Sequence, residues 1–396
     1  MDQLNKYYCI KAFSGLEIKP NGQASMCCDM NNQKVNIDPY YLNLNSLPLA
    51  DVVNNTGWQE IRQNMIDNKP SDACEQCYVN ERLGITSQRQ NSNRRFASEV
   101  DYHWNNSGAT THDLIDLDMK IGNVCNQMCV VCDSASSSML LSEDQQIFGT
   151  GNTFKVKWWR NEKLWDQLLD RFESVQRINI YGGEPLLIPE VKKFLLRVVE
   201  HGYASTIDVN FATNGSIYNE EFFDILENFN KRTILASADG HKQTFEYSRY
   251  PAKWDEFLKN IHLIKQRLDP DDFFANAYTY SAYTVFDLVD TLEFYRTQLD
   301  FDFPVWLNPV WQSFYKVDVL PSALKDKLIQ DIKQTYNTDY NMNGSKDLSP
   351  IVTSLIQHSD EKNWHEFKRI TKMRDKMRNI SIIDVIPELE DYWHED

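Results

Sequence analysis

Between residues 114 and 310, short apolar runs of strand length alternate with longer segments whose apolar residues recur at helical spacing. Residues 114–121, 177–181, 206–212, 233–238, part of 274–285 and 303–308 read as six strands. Residues 158–175, 189–199, 218–229, 254–268 and 288–299 read as helices, the second opened by Pro189. Strands alternating with helices imply a parallel sheet with right-handed crossovers. A partial barrel and an open doubly wound sheet both satisfy that pattern, and strand count does not separate them. Upstream, Leu16, Ile18 and Pro20-Asn21-Gly22 read as a strand entering a hairpin, because Asn and Gly tolerate positive φ. Residues 84–113 are dominated by Gln, Ser, Asn and Arg and read as a linker or a surface-wrapping segment. The tail has helical patterns at 322–336 and 364–377, and the charge alternation of 367–378 reads as a solvated helix face.

Composition narrows the picture. The chain has 396 residues, 42% of them hydrophobic and 12% aromatic, enough for a substantial core. A net charge of −16 and a pI near 5.0 argue against a nucleic-acid partner. There is no apolar run of membrane-spanning length and no signal-peptide pattern at the start, so a cytoplasmic location is expected. Eight cysteines in such a chain point to metal in a reducing compartment rather than to a disulfide framework.

Three of those thiols, Cys125-x3-Cys129-x2-Cys132, fall just past the first strand of the alternation. Three ligands on a short loop suit an iron–sulfur cluster with one iron left without a protein thiolate. A structural zinc ion would want a fourth ligand, and none follows in the loop. Buried inert thiols are the remaining reading. Four further thiols, Cys9, Cys27, Cys74 and Cys77, come from the hairpin region and a Cys-x2-Cys turn and would make a closed metal site; zinc is a candidate there. Cys28 is a spare. Polar and Gly-rich motifs recur at the strand ends: Gly182-Gly183-Glu184-Pro185, Thr213-Asn214-Gly215 and Ser237-Ala238-Asp239-Gly240. These are the ends at which barrel-type α/β folds place their chemistry. His241 and Arg249 read as structural or surface residues.

The cysteine loop followed by Gly-Gly-Glu-Pro resembles the radical S-adenosylmethionine (SAM) superfamily. The resemblance implies a partial (β/α)6 barrel over residues 114–310, with Cys125, Cys129 and Cys132 holding a catalytic 4Fe–4S cluster whose open iron binds SAM. It implies a SAM site contributed by Gly182, Gly183, Glu184, Pro185, Thr213, Asn214 and Ser237. Val131 stands where that family usually has an aromatic residue against adenine, and a valine gives apolar contact but cannot stack. Asp239 resembles a position that faces substrate in the peptide-modifying branch.

Cys9-x12-Gly22-x4-Cys27 with Cys74-x2-Cys77 resembles the auxiliary-cluster half of SPASM and twitch modules. Those modules usually follow the barrel; here the pattern precedes it. The resemblance implies an iron–sulfur module and linker in residues 1–100, carrying one auxiliary 4Fe–4S cluster, and a helical extension in residues 311–396. Cys28 is then a packed thiol, a substitute ligand or a hydrogen-atom donor near the site. The activity implied is reductive cleavage of SAM to a 5′-deoxyadenosyl radical that abstracts hydrogen from a peptide or protein side chain, with an electron donor such as flavodoxin or ferredoxin. A carbohydrate or nucleoside substrate, and a zinc-stabilised scaffold without catalysis, are the alternatives.

Overall fold

The computed structural model describes residues 6–82, 84, 86–100, 113–154, 156–336 and 348–394. Eight strands are found among them: β1 (Gly15–Ile18), β2 (Ala24–Ser25), β3 (Asp116–Lys120), β4 (Arg177–Tyr181), β5 (Asp208–Thr213), β6 (Lys231–Ser237), β7 (Phe273–Tyr280) and β8 (Val305–Pro309). The six strands expected from the sequence are β3 to β8, each followed by helix, so the α/β class holds. The chain divides into two compact units. The first comprises Met1–Gly122, Phe154–Phe211 and Glu221–Arg232; the second comprises Asn123–Thr153, Ala212–Glu220 and Thr233–Asp396.

In the first unit the strands lie in the order β2-β1-β3-β4-β5. β1 and β2 form the antiparallel hairpin, and β1, β3, β4 and β5 are parallel. The hairpin forms, but of the Asn-Gly pair Gly22 alone (φ +81°) is left-handed, closing a three-residue loop between Lys19 and Gln23. One face of these strands is apolar: Leu16, Ile18, Leu117, Met119, Ile178, Ile180, Val209 and Phe211 are all buried. Helices Glu162–Leu169 and Pro189–Glu200 supply matching apolar stripes, with Trp165 stacked on Phe194 at 4.6 Å between ring centroids. The pattern read as one helix over 158–175 is interrupted. Short 3-10 turns at Trp158–Arg160 and Phe172–Ser174 flank the α-helix, and they bury Trp158, Trp159 and Phe172.

Part of the segment read as a linker is helical. Gln88–Arg95 is opened by a capping box in which Ser87 and Gln90 satisfy each other's backbone N–H groups. Arg89 pairs with Glu81 at 2.6 Å. This helix rests on caps and charge pairs rather than on an apolar stripe, so the hydrophobic pattern did not report it. Residues 101–112 of that segment lie outside the described residues.

In the second unit β6, β7 and β8 are parallel neighbours. Helices Trp254–Gln266 and Leu288–Gln298 follow β6 and β7, and Ser322–Tyr336 has the bounds expected. The last long helix, Glu361–Arg378, corrects the reading of a solvated charge face. Lys368, Arg374 and Arg378 are buried. Arg378 makes a bidentate pair with the buried Glu143 (Nε–Oε1 2.8 Å, Nη2–Oε2 2.7 Å), and Arg374 donates to the Val130 carbonyl. Alternating charge can mean partners in another part of the chain as well as solvent, and sequence alone does not say which.

A buried pair broken on one side leaves an uncompensated charge, which costs about 3–5 kcal/mol. Glu143→Gln should therefore lower stability by about 3 kcal/mol or more, read as a shift in the urea unfolding midpoint at constant slope.

Candidate active site

The three-cysteine loop lies in the second unit and is clasped from the segment 120 residues downstream. Met128 N–H donates to the Tyr250 carbonyl (2.6 Å) and Val130 N–H to the Ser248 carbonyl (2.8 Å). Side chains stiffen the loop further: Ser137 Oγ donates to the Gln127 carbonyl (2.6 Å), and Asn123 Nδ2 to the Ser134 carbonyl (2.7 Å). Cys129 is buried, while Cys125 and Cys132 are half-buried; none of the eight cysteines forms a disulfide.

The sulfurs face donors. Asn214 Nδ2 lies 3.7 Å from Cys125 Sγ, and Arg249 Nη1 lies 4.0 Å from Cys129 Sγ. The hydrogen bond from Cys132, with the Arg249 charge adding to it, brings the Cys129 thiol down to about 7. Arg249 itself is buried and holds Asp239 at 2.7 Å. Burial pushes the Asp239 carboxyl up, opposed by Arg249 and by the Thr279 N–H at 2.7 Å.

Asn214, the residue after the end of β5 at Thr213, comes to this loop. Asn214 Nδ2 donates to Asn126 Oδ1 (2.9 Å), and Ser216 Oγ bridges Asn126 and Asn214. Thr213 Oγ1 accepts from Gly215 N–H at 3.2 Å. Val131 is half-buried, its carbonyl accepting from Gln312 Nε2 at 3.3 Å. Ser237 closes β6, and the following Ala238 is gripped at both its N–H and its carbonyl by the buried Asn276. Asp239 is linked to the loop through Arg249 and through its carbonyl, which accepts from Ser248 Oγ at 2.9 Å.

The remaining expected residues lie in the first unit. Gly182 (φ +81°) and Gly183 (φ +44°) end β4, and a Cβ at Gly182 would sit 3.1 Å from the Gly122 carbonyl oxygen. Glu184 is fully buried and caps the Pro185–Leu187 turn, accepting from Leu186 N–H at 3.2 Å. Cys9, Cys27, Cys74 and Cys77 line one small cavity, together with Lys11, Asp29 and Arg89. Burial pushes the Cys9 thiol up to about 11 and Cys74 up to about 12, and neighbouring sulfurs add to both. Cys28 is exposed, with Asp29 Oδ1 3.9 Å from its sulfur.

Sequence reasoning missed Arg249, Asn126 and Gln127. Gln127 is buried with Oε1 at 3.6 Å from Cys129 Sγ. No periodicity marks such residues; the one available signal was that Asn126 and Gln127 sit between two cysteines of the loop.

With this geometry in place, the comparisons define the class. The model of the radical SAM superfamily matches residues 119–295, and that of the iron–sulfur cluster-binding domain SPASM matches residues 9–78. The chain thus carries a SPASM domain followed by a radical SAM domain, in a mixed α/β fold. Among solved structures it is similar to native anSMEcpe with bound AdoMet, at 17% identity and a TM-score of 0.41, over 57% of this chain and 61% of that one. It is also similar to Streptococcus suis SuiB, at 12% identity and a TM-score of 0.37, over 84% of this chain and 69% of that one. The chain thus spans about three-fifths of the anSMEcpe chain. No curated protein sequence matches it.

The radical SAM domain implies a 4Fe–4S cluster and SAM, and the SPASM domain implies auxiliary iron–sulfur. The residues present fit both. In the loop, three thiols that interact with one another meet an amide and a guanidinium able to donate to cluster-bound sulfur. In the first unit, four thiols share one cavity with cations beside it.

Two outcomes follow. Replacing Cys74 and Cys77 with alanine should reduce the iron of anaerobically reconstituted protein from about eight to about four per chain, measured by colorimetric iron assay. Arg249→Leu removes a cation 4.0 Å from the Cys129 sulfur. At that distance and an effective dielectric of about 20 the interaction is about 4 kcal/mol, so the midpoint potential of a cluster held there should fall by up to roughly 150–200 mV, read by EPR-monitored redox titration.

Proposed function

We propose that this protein cleaves SAM reductively at the Cys125, Cys129 and Cys132 loop and oxidises or otherwise modifies a peptide or protein side chain. The loop geometry carries this reading: three thiols in one clasped loop, inside the matched radical SAM domain, with Asn214 and Arg249 aimed at the sulfurs. When bound, the cluster and SAM supply a 5′-deoxyadenosyl radical able to abstract hydrogen. The chain's own residues bind and orient. Gly182 and Gly183 let backbone approach the ligand closely, Glu184 offers a carboxylate for an ammonium group, and Thr213, Asn214, Ser237 and Pro185 complete the SAM-binding set, with Val131 as apolar contact. Asp239 is proposed to face substrate and Cys28 to act as hydrogen-atom donor. The four thiols of the SPASM domain would hold a single 4Fe–4S cluster.

The peptide class of substrate draws support from the SPASM domain, and related folds are recorded with peptides: anSMEcpe with a Kp18Cys peptide and SuiB with the precursor peptide SuiA. A flavodoxin or ferredoxin in a reducing cytoplasm would supply the electron.

The test is direct. Wild-type protein, reconstituted anaerobically and given SAM and dithionite, should release 5′-deoxyadenosine, and the variant with Cys125, Cys129 and Cys132 all changed to alanine should release none above background by chromatography. Equal release from the variant refutes the assignment.

A further inference from the structure

The first unit carries a polar file that adjoins the thiol-lined cavity through Lys11 and contains none of the expected SAM residues. Parallel strands covered on both faces read as near-continuous apolar runs. Here the face opposite the apolar one is polar at every step. The strand register sets Ser25 beside Glu17, Glu17 beside Asp118, Asp118 beside Asn179 and Asn179 beside Asn210.

Most of the file is closed upon itself. Lys11, almost fully buried, bridges Asp116 (2.9 Å) and Asp118 (2.7 Å). Arg177 makes a bidentate pair with Asp116, and Asn179 Nδ2 donates to Asp116 and Asp118 while its Oδ1 accepts from Asn210. Every group in that stretch has a fixed partner.

The end at β1 and β2 differs. Glu17 is fully buried, yet among the described residues no donor meets its Oε2, and the buried Ser25 Oγ beside it is also unpartnered. A buried carboxylate oxygen left in this state is expensive. Among the described residues the cation paired with Glu17 is Lys120, with Nζ at 2.9 Å from Oε1 and a side chain 38% exposed. Unlike Lys11, Lys120 is a flexible chain on the solvent side of its partner, so it is the member of the file that can be exchanged.

We propose that Glu17, with Ser25 beside it, anchors a cationic amine of the substrate, and that Lys120 is the chain's own ammonium covering that position, displaced when the amine enters. This deepens the peptide reading, on which it rests, by naming a lysine side chain or an amino terminus as the anchored group. A chain with a net charge of −16 draws such a group in at long range. The geometry makes two predictions of opposite sign: neutralising Glu17 weakens amine binding, and removing Lys120 strengthens it.

The experiment titrates the reconstituted full chain with Nα-acetyl-lysine amide and with its uncharged match, Nα-acetyl-norleucine amide, by ligand-observed NMR. The lysine probe should bind about tenfold or more tightly than the norleucine probe. Glu17→Gln should lose about tenfold of that affinity, and Lys120→Met should gain several-fold. Equal binding of the two probes, absence of lysine-probe binding, an unchanged Glu17→Gln or a Lys120→Met no tighter than wild type each overturns the proposal and leaves Glu17 solvated by buried water. If Glu17→Gln does not fold, judged by circular dichroism and iron content, Lys120→Met decides alone, because a folding defect cannot raise affinity. Release of 5′-deoxyadenosine in the same samples without probe reports on the SAM reading separately, so each idea fails by its own signal.

Discussion

The clasp between the cysteine loop and residues 248–250 is the constraint from which the rest of the site follows. A loop presenting three thiols to one cluster must leave its sulfurs free of other duties while its backbone stays fixed. Two backbone bonds from Met128 and Val130 to Tyr250 and Ser248 do this without using a side chain. The same crossing places Arg249, the residue between those two carbonyls, at the Cys129 sulfur. Its burial is tolerable because Asp239 pairs with it, so the strand-end aspartate acts on the loop through a guanidinium. The clasp and the local charge balance are thus one arrangement, made by a stretch that carries no cysteine.

The first unit applies the same principle to different ends. Lys11 follows the cavity-lining Cys9 by two residues, and its ammonium holds two aspartates of β3. The short helix Ile10–Ser14 therefore ties the thiol-lined cavity to the sheet, and β1, which follows it, extends that sheet by parallel pairing with β3. An iron–sulfur module placed ahead of the radical SAM domain in sequence is by this means built into the same compact unit as that domain's first strands.

Much of this was legible in the sequence, for identifiable reasons. Strand–helix alternation, the Asn-Gly hairpin and the two cysteine patterns are local signals, and local signals survive in a one-dimensional string. The charged partners were not legible. Arg249, Arg374 and Arg378 have the composition of surface residues, and they are buried because Asp239, the Val130 carbonyl and Glu143 wait for them 10 to 244 residues away. The helix Gln88–Arg95 was missed for a related reason: its stability lies in a capping box and in Arg89–Glu81, which hydrophobic periodicity does not measure.

One pattern was present in plain view and went unread. Asp116-Leu-Asp-Met-Lys120 alternates strictly, which for a strand buried in a parallel sheet is a statement that one face is not core. Two buried carboxylates and an ammonium at alternate positions cannot be stabilised by apolar packing, so their partners had to come from other segments of the chain. Lys11, Arg177, Asn179 and Glu17 are those partners. Reading such alternation as a demand for long-range charge partners turns a detail of one strand into a map of which distant residues meet it. Among the described residues that supply of partners stops at the far oxygen of Glu17, which is why the proposed amine anchor falls there and not elsewhere in the file.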